Sequence, residues 1–213
     1  MNLKNFLIGK TPIYIQFFRG CILGMGLSAA AYTSLQFLPG EDLSDGDKQS
    51  LTDVFNDSIN IDDINYHRSP FGNKLLRFFG ADGVTVGNTV ITNYKYSKGT
   101  DVYKYVLIHE AAHIWQNQNC PFNIFNNLGD EIRNAFSEQI DMYKYHLDDS
   151  KDLRDYNHEQ QASIIADYFM PHIGASFGLV KNKFSSDAEK QAVYDAVMKN
   201  FLNDPKYIQK HCL

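Results

Sequence analysis

Residues 106–116 read V-L-I-H-E-A-A-H-I-W-Q, and the reading of this stretch decides the fold. His109 and His113 stand four positions apart, and Glu110 directly follows the first. The run lies within a predicted helix from Asp101 to about Gln118, closed by Pro121. On a helix, positions i and i+4 lie one above the other on the same face. Val106, Leu107 and Ile108 before the pair, with Ile114 and Trp115 after it, make this a central buried helix. Polar side chains in such a place are costly unless partnered.

A metal ion is one such partner. Zinc accepts imidazole nitrogens, and a catalytic site needs a third protein ligand and one open position for water. Glu110 points beside the ion, where it can take a proton from the water that zinc acidifies. His109-Glu110-Ala111-Ala112-His113 thus has the residue types and spacing for metal-assisted hydrolysis. Chance placement in this composition would give on the order of 0.01 such matches per chain. The competing reading is two core histidines satisfied by hydrogen bonds beside a paired glutamate.

A third ligand is expected downstream, from His146, Asp155, His158, Glu159, Asp167 or His172. Glu159 is favoured, in Y-N-H-E-Q-Q-A-S-I-I-A-D-Y-F (156–169). Asn157 and Gln160 make a capping-box start for that helix, which ends before Pro171. Ala162, Ala166 and Phe169 give it a small apolar side for close packing. His158 is the runner-up, but it points about 100° away on the helical wheel. Asp167 is a candidate acceptor for an imidazole N–H. Tyr156 and His146, with Tyr145 and His172, are candidate oxyanion donors.

The surrounding chain reads as a mainly helical α+β domain from residue 43 to 213. Ser44 caps a helix with Leu51, Val54 and Phe55 inside, and a short strand follows around Ile59 to Tyr66. V-T-V-G-N-T-V-I (84–91) reads as a hairpin, with Gly87 and Asn88 both supplying positive φ. A helix is expected from Asp130 to about His146. Another opens on the capping box Ser186 to Glu189 and buries Val193, Ala196, Val197 and Phe201.

Residues 1–42 differ. They hold Lys4, Lys10 and Arg19, then an uncharged run, and no acidic residue before Glu41. The segment reads as an export signal, a membrane anchor with contact through residues 12–39, or a packed helix pair. The chain of 213 residues carries a net charge of −5, with no basic footprint for nucleic acid. Cys21, Cys120 and Cys212 form no CxxC; isolated thiols are favoured over a Cys120–Cys212 disulfide.

L-I-H-E-A-A-H-I-W-Q together with the 156–169 segment resembles bacterial zinc metallopeptidases of the Rhs/Vgr-associated type, a gluzincin-like group. L-T-D-V-F-N-D-S-I-N-I-D-D-I-N-Y-H and V-T-V-G-N-T-V-I resemble that family's region upstream of the motif, so the likeness spans about residues 43–170. It implies one zinc ion held by His109, His113 and Glu159, with Glu110 as the base. It also implies bacterial secretion, often by type VI delivery, and hence a carrier or immunity protein as partner. The expected function is a secreted or envelope-delivered zinc peptidase acting on peptide or protein. The alternatives are a zinc amidase on peptidoglycan cross-links and a non-catalytic secretion-associated binding module.

Overall fold

The structure is a computed structural model that describes residues 40–68, 83–92, 97–120 and 143–211. It is mostly helical with one small sheet, an α+β fold. Helix α1 (Asp45–Phe55) begins where the sequence predicts. Asp47 N–H donates to Ser44 Oγ, and Ser44 N–H donates back to the Asp47 carboxylate, each at 3.2 Å. Leu51, Val54 and Phe55 face inward, and Tyr103 donates to Asp47, tying α1 to the next helix.

The strand expected from Ile59 is shorter. Asn60 and Asp63 bond to each other through side chain (2.7 Å) and backbone (3.3 Å), making a 3₁₀ turn over Ile61–Asp63. Such local bonding competes with extended pairing. Strand β1 is therefore only Asn65–His67. The hairpin is present as β2 (Gly83–Val86) and β3 (Thr89–Thr92). Only Gly87 takes a positive φ, +60°, and Asn88 does not, which is the type II′ rather than the type I′ pattern.

Sheet order is β1-β3-β2, with β1 parallel to β3 (Tyr66 opposite Val90) and β2 antiparallel to it (Thr85 opposite Val90). Glu41 N–H donates to Tyr66 O at 2.7 Å, so residues 40–41 line the outer edge of β1. Among the described residues, β2 pairs with β3 alone.

Helix α2 (Asp101–Asn119) runs through the middle, capped by Thr100. It is buried almost all round, as expected of a central helix. On one side Trp115 meets Phe201 edge-on and donates its indole N–H to Pro205 O at 2.9 Å. On another side it packs on helix α3 (His158–Phe169), where Ala162 and Ala166 are wholly buried. Short helix α4 (Pro171–Phe177) and helix α5 (Asp187–Asn203) complete the shell, followed by a 3₁₀ segment, Pro205–His211.

Four further expectations change. The tail of the predicted 130–146 helix, residues 143–146, is not helical: Tyr145 forms a parallel bridge with Val180, and the rest, to residue 142, lies outside the described residues. The capping box of α5 is shifted. Ser186 accepts from Glu189 N–H, but the Glu189 carboxylate binds Ser185 instead of Ser186. The buried face of α5 is Tyr194, Val197, Met198 and Phe201, leaving Val193 and Ala196 half-buried. Cys120 is disulfide-bonded, against the expectation of isolated thiols; Cys21 and Cys212 lie outside the described residues. No described helix is long and apolar enough to cross a membrane, and residues 12–39 lie outside the described part.

Candidate metal centre

The two central helices bring His109, His113 and Glu159 together. Glu159 Oε2 lies 3.4 Å from His109 Nε2 and 3.4 Å from His113 Nε2. One potential ligand atom from each residue falls within 4.8 Å of the others. Two ligands about 2.0–2.1 Å from one tetrahedral ion stand about 3.3 Å apart, so the observed spacing suits shared coordination. It is too long for a good charge-assisted hydrogen bond, which closes to about 2.7–2.9 Å.

The chemistry of the donors gives a second test. His113 Nδ1 lies 2.9 Å from Gln116 Oε1. The Gln116 amide cannot be turned round, because its Nε2 donates to His158 O (2.9 Å) and Gln161 Oε1 (3.1 Å). Nδ1 therefore carries the hydrogen, and neutral His113 presents an Nε2 lone pair to the Glu159 carboxylate. Two acceptors facing each other in a buried site need a cation or a proton between them. In the metal-free chain that is a proton. Burial opposes the charge on His113, but the Glu159 carboxylate outweighs it and pushes the imidazole up to about 10. Burial likewise opposes the charge on Glu159, and the two imidazoles outweigh it, holding the carboxyl well below its ordinary range. Glu159 also sits in the first turn of α3, where a negative charge is favoured.

Glu110 is 1% exposed. Strand β2 holds it: Thr85 Oγ1 donates to Glu110 Oε2 at 2.7 Å, and Gly83 gives the carboxylate room. A Cβ at Gly83 would lie 2.7 Å from Glu110 Cδ. Burial raises the Glu110 carboxyl pKa, against the pull of the two imidazoles and Thr85.

Asp167 is buried but takes other partners than an imidazole. It accepts from Tyr105 OH at 2.8 Å, from Tyr145 OH, and weakly from Tyr194 OH at 3.5 Å. Burial raises its carboxyl pKa, although these hydroxyls pull it down. Gly174 of α4 packs so closely on Asp167 that a Cβ there would lie 3.0 Å from its Cα.

The oxyanion candidates do not gather at the site. Tyr156 OH accepts from Asp148 N–H (3.0 Å) and donates to His146 O (3.3 Å), serving the loop. His146 and His172 are exposed, and Tyr145 belongs to the Asp167 cluster. Of the other ligand candidates, Asp155 is exposed and caps a 3₁₀ turn, and the His158 carbonyl accepts from Gln116. The aromatic ring beside His109 is that of Tyr143, with centroids 6.1 Å apart.

Sequence reasoning missed Gly83, Thr85, Gln116 and Gln161. Gly83 alone had a signal: a glycine in a strand marks a close approach.

His109 and His113 of one helix and Glu159 of a second thus form a buried donor set that could hold a metal ion, with Glu110 beside it. The chain matches the eCIS core domain family over residues 42–121. It is 28% identical, over 169 residues, to the type VI secretion system spike protein VgrG2b of Pseudomonas aeruginosa. That match covers 76% of this chain, which spans 15% of the spike protein's length. The solved effector domain of the same spike protein is similar at 23% identity and a TM-score of 0.47, over 76% of this chain and 99% of that domain. These similarities link the chain to Vgr-associated proteins of type VI secretion.

Proposed function

We propose that this chain is a zinc-dependent peptidase acting as a secreted bacterial effector. The observation that carries it is Glu159 Oε2 standing 3.4 Å from both His109 Nε2 and His113 Nε2, with Glu110 buried alongside. His109, His113 and Glu159 would hold the ion. Bound zinc supplies a Lewis acid for the substrate carbonyl and lowers the pKa of a water.

The rest is done by the chain. Glu110 accepts the proton of the attacking water and passes it to the leaving amine. Burial raises its carboxyl, which brings it nearer the value suited to exchanging a proton near neutrality. Thr85 and Gly83 fix the direction of that carboxylate. Among the described residues the same strand is paired on one side only, and an extended peptide added to its other side would present its carbonyls beside Glu110.

Delivery rests on the similarity to the type VI spike protein. A spike-type carrier and an immunity protein are the corresponding partners. The second reading, an amidase on peptidoglycan cross-links, uses the same site chemistry and fits envelope delivery. A purely structural metal site would have no use for Glu110.

The test is digestion of a casein-like protein and a purified sacculus side by side, by wild type and by Glu110→Gln, with zinc measured in both. The expected result is one zinc per chain in each and hydrolysis by wild type alone. Turnover retained in Glu110→Gln, or a zinc-loaded wild type inert on both substrates, would overturn the reading.

A further inference from the structure

We infer that Gln116 is a positioning residue for the metal: it sets the tautomer of His113 and locks that imidazole to the helix bearing Glu159. The inference rests on the zinc reading of the site. Its basis is a chain of hydrogen bonds that runs one way. His113 Nδ1 donates to Gln116 Oε1 at 2.9 Å. Gln116 Nε2 donates to Gln161 Oε1 at 3.1 Å and to His158 O at 2.9 Å. Gln161 Nε2 then donates to Tyr156 O at 2.6 Å. Each amide is oriented by the next, and the last acceptor is a backbone carbonyl that cannot rotate.

Two consequences follow. With Nδ1 protonated and committed, Nε2 is the nitrogen left to face Glu159, so His113 is set before any ion arrives. Hydrogen bonds in series also polarise one another, which makes a donating imidazole a better ligand. In addition, Gln116 is on α2 while His158, Gln161 and Glu159 are on α3. The relay therefore holds the two ligand-bearing helices in register at the level of the site. Gln116 and Gln161 are both about 95% buried, so water does not substitute readily for either amide.

The experiment is zinc titration against a competing chelator for wild type, Gln116→Leu, Gln161→Leu and the double variant. Melting of each metal-free protein checks its folding. Outer partners of this kind are worth about 10–100-fold in metal affinity. Gln116→Leu is expected to weaken zinc by that amount. Gln161→Leu, which does not touch His113, should weaken it less, and the double variant should be no worse than Gln116→Leu. That non-additivity in zinc affinity, beyond any non-additivity in the melting of the metal-free proteins, is the signature of Gln161 acting through Gln116. Unchanged affinity in Gln116→Leu, or losses that add in the double variant, would overturn the relay. If Gln116→Leu does not fold, an unchanged affinity in Gln161→Leu overturns it equally. A wild type that binds no zinc removes the metal reading itself, and the same titration reports that separately.

Discussion

Helix α3 carries two buried carboxylates two turns apart, and they are stabilised by opposite means. Asp167 is surrounded by hydroxyl donors: Tyr105 from α2, Tyr145 from the bridge segment and Tyr194 from α5. Glu159 faces two imidazole nitrogens at 3.4 Å, one of them His113 Nε2, the nitrogen of that ring not taken by Gln116. Burial raises the Asp167 carboxyl, whereas the imidazoles drive the Glu159 carboxyl down despite burial. A carboxylate met by hydroxyls is complete within the protein and ties elements together. One met by ring nitrogens is complete only with a cation or a borrowed proton. The contrast sets a cluster satisfied within the protein apart from one whose donors suit a cation.

The largest expected effect lies on the Glu159 side. Glu159→Ala should weaken zinc by more than about a hundredfold, since even outer partners are worth 10–100-fold. Chelator competition measures it, and zinc affinity equal to wild type would remove Glu159 from the ligand set. Asp167→Leu should do the reverse. It leaves buried tyrosine hydroxyls without their acceptor, at a cost of about 2–4 kcal/mol of stability by urea unfolding. Its zinc affinity should stay within about threefold of wild type, because it holds no ligand atom. If Asp167→Leu costs zinc as much as Glu159→Ala does, the division between the two clusters is wrong.

The third effect is smaller and concerns the base. Gly83→Ala places a Cβ 2.7 Å from Glu110 Cδ. Overpacking of this kind costs about 1–3 kcal/mol. The variant should keep its zinc, lose stability by that amount, and lose turnover because Glu110 is displaced. A variant as active and as stable as wild type would show that β2 does not set the base.

Each half of the Glu159 side was legible in the sequence because its determinants are local, whereas the pairing of Glu159 with the two histidines was expected from the need for a third ligand and from the family resemblance. The i, i+4 pair, the apolar flanks of α2 and the Asn157–Gln160 box all lie within a turn or two of what they determine. What was not legible is long-range. Thr85 reaches Glu110 across 25 residues, Gln116 reaches Gln161 across 45, and Tyr105 reaches Asp167 across 62. No periodicity encodes which tyrosine meets which carboxylate, so Asp167, a candidate acceptor for an imidazole N–H in the sequence, is found among phenols. The parallel pairing of β1 with β3 was hidden for the same reason, while the hairpin, a local feature, was read with only its turn type wrong. The shifted cap of α5 shows the limit of local reading too: Ser185 and Ser186 are equally able partners for Glu189.

The smallest expected effect is a pair of opposite slopes in acid, measured on the metal-free protein. Asp167 has a folded carboxyl above its ordinary 3.8. Between those values the folded chain holds the proton more than the unfolded chain does, so stability rises as pH falls through the window. Glu159 has a folded carboxyl well below its ordinary 4.5. Its contribution is full above 4.5 and is lost as pH falls toward the folded value. Asp57, Asp148 and Glu189 are also held low, by Lys206, Ser150 and Ser185, but they add the same background to every variant. Relative to wild type, Asp167→Asn should therefore steepen the loss of stability on acidification, and Glu159→Gln should flatten it when His113, whose charge Glu159 holds, is replaced by Gln in both proteins compared. Urea unfolding from about pH 5.5 down to 3.5 reads both slopes on either side of the carboxylate range. Two variants that move the acid limb in the same direction would mean that hydroxyls and imidazoles stabilise these carboxylates alike, and the distinction drawn from α3 would not hold.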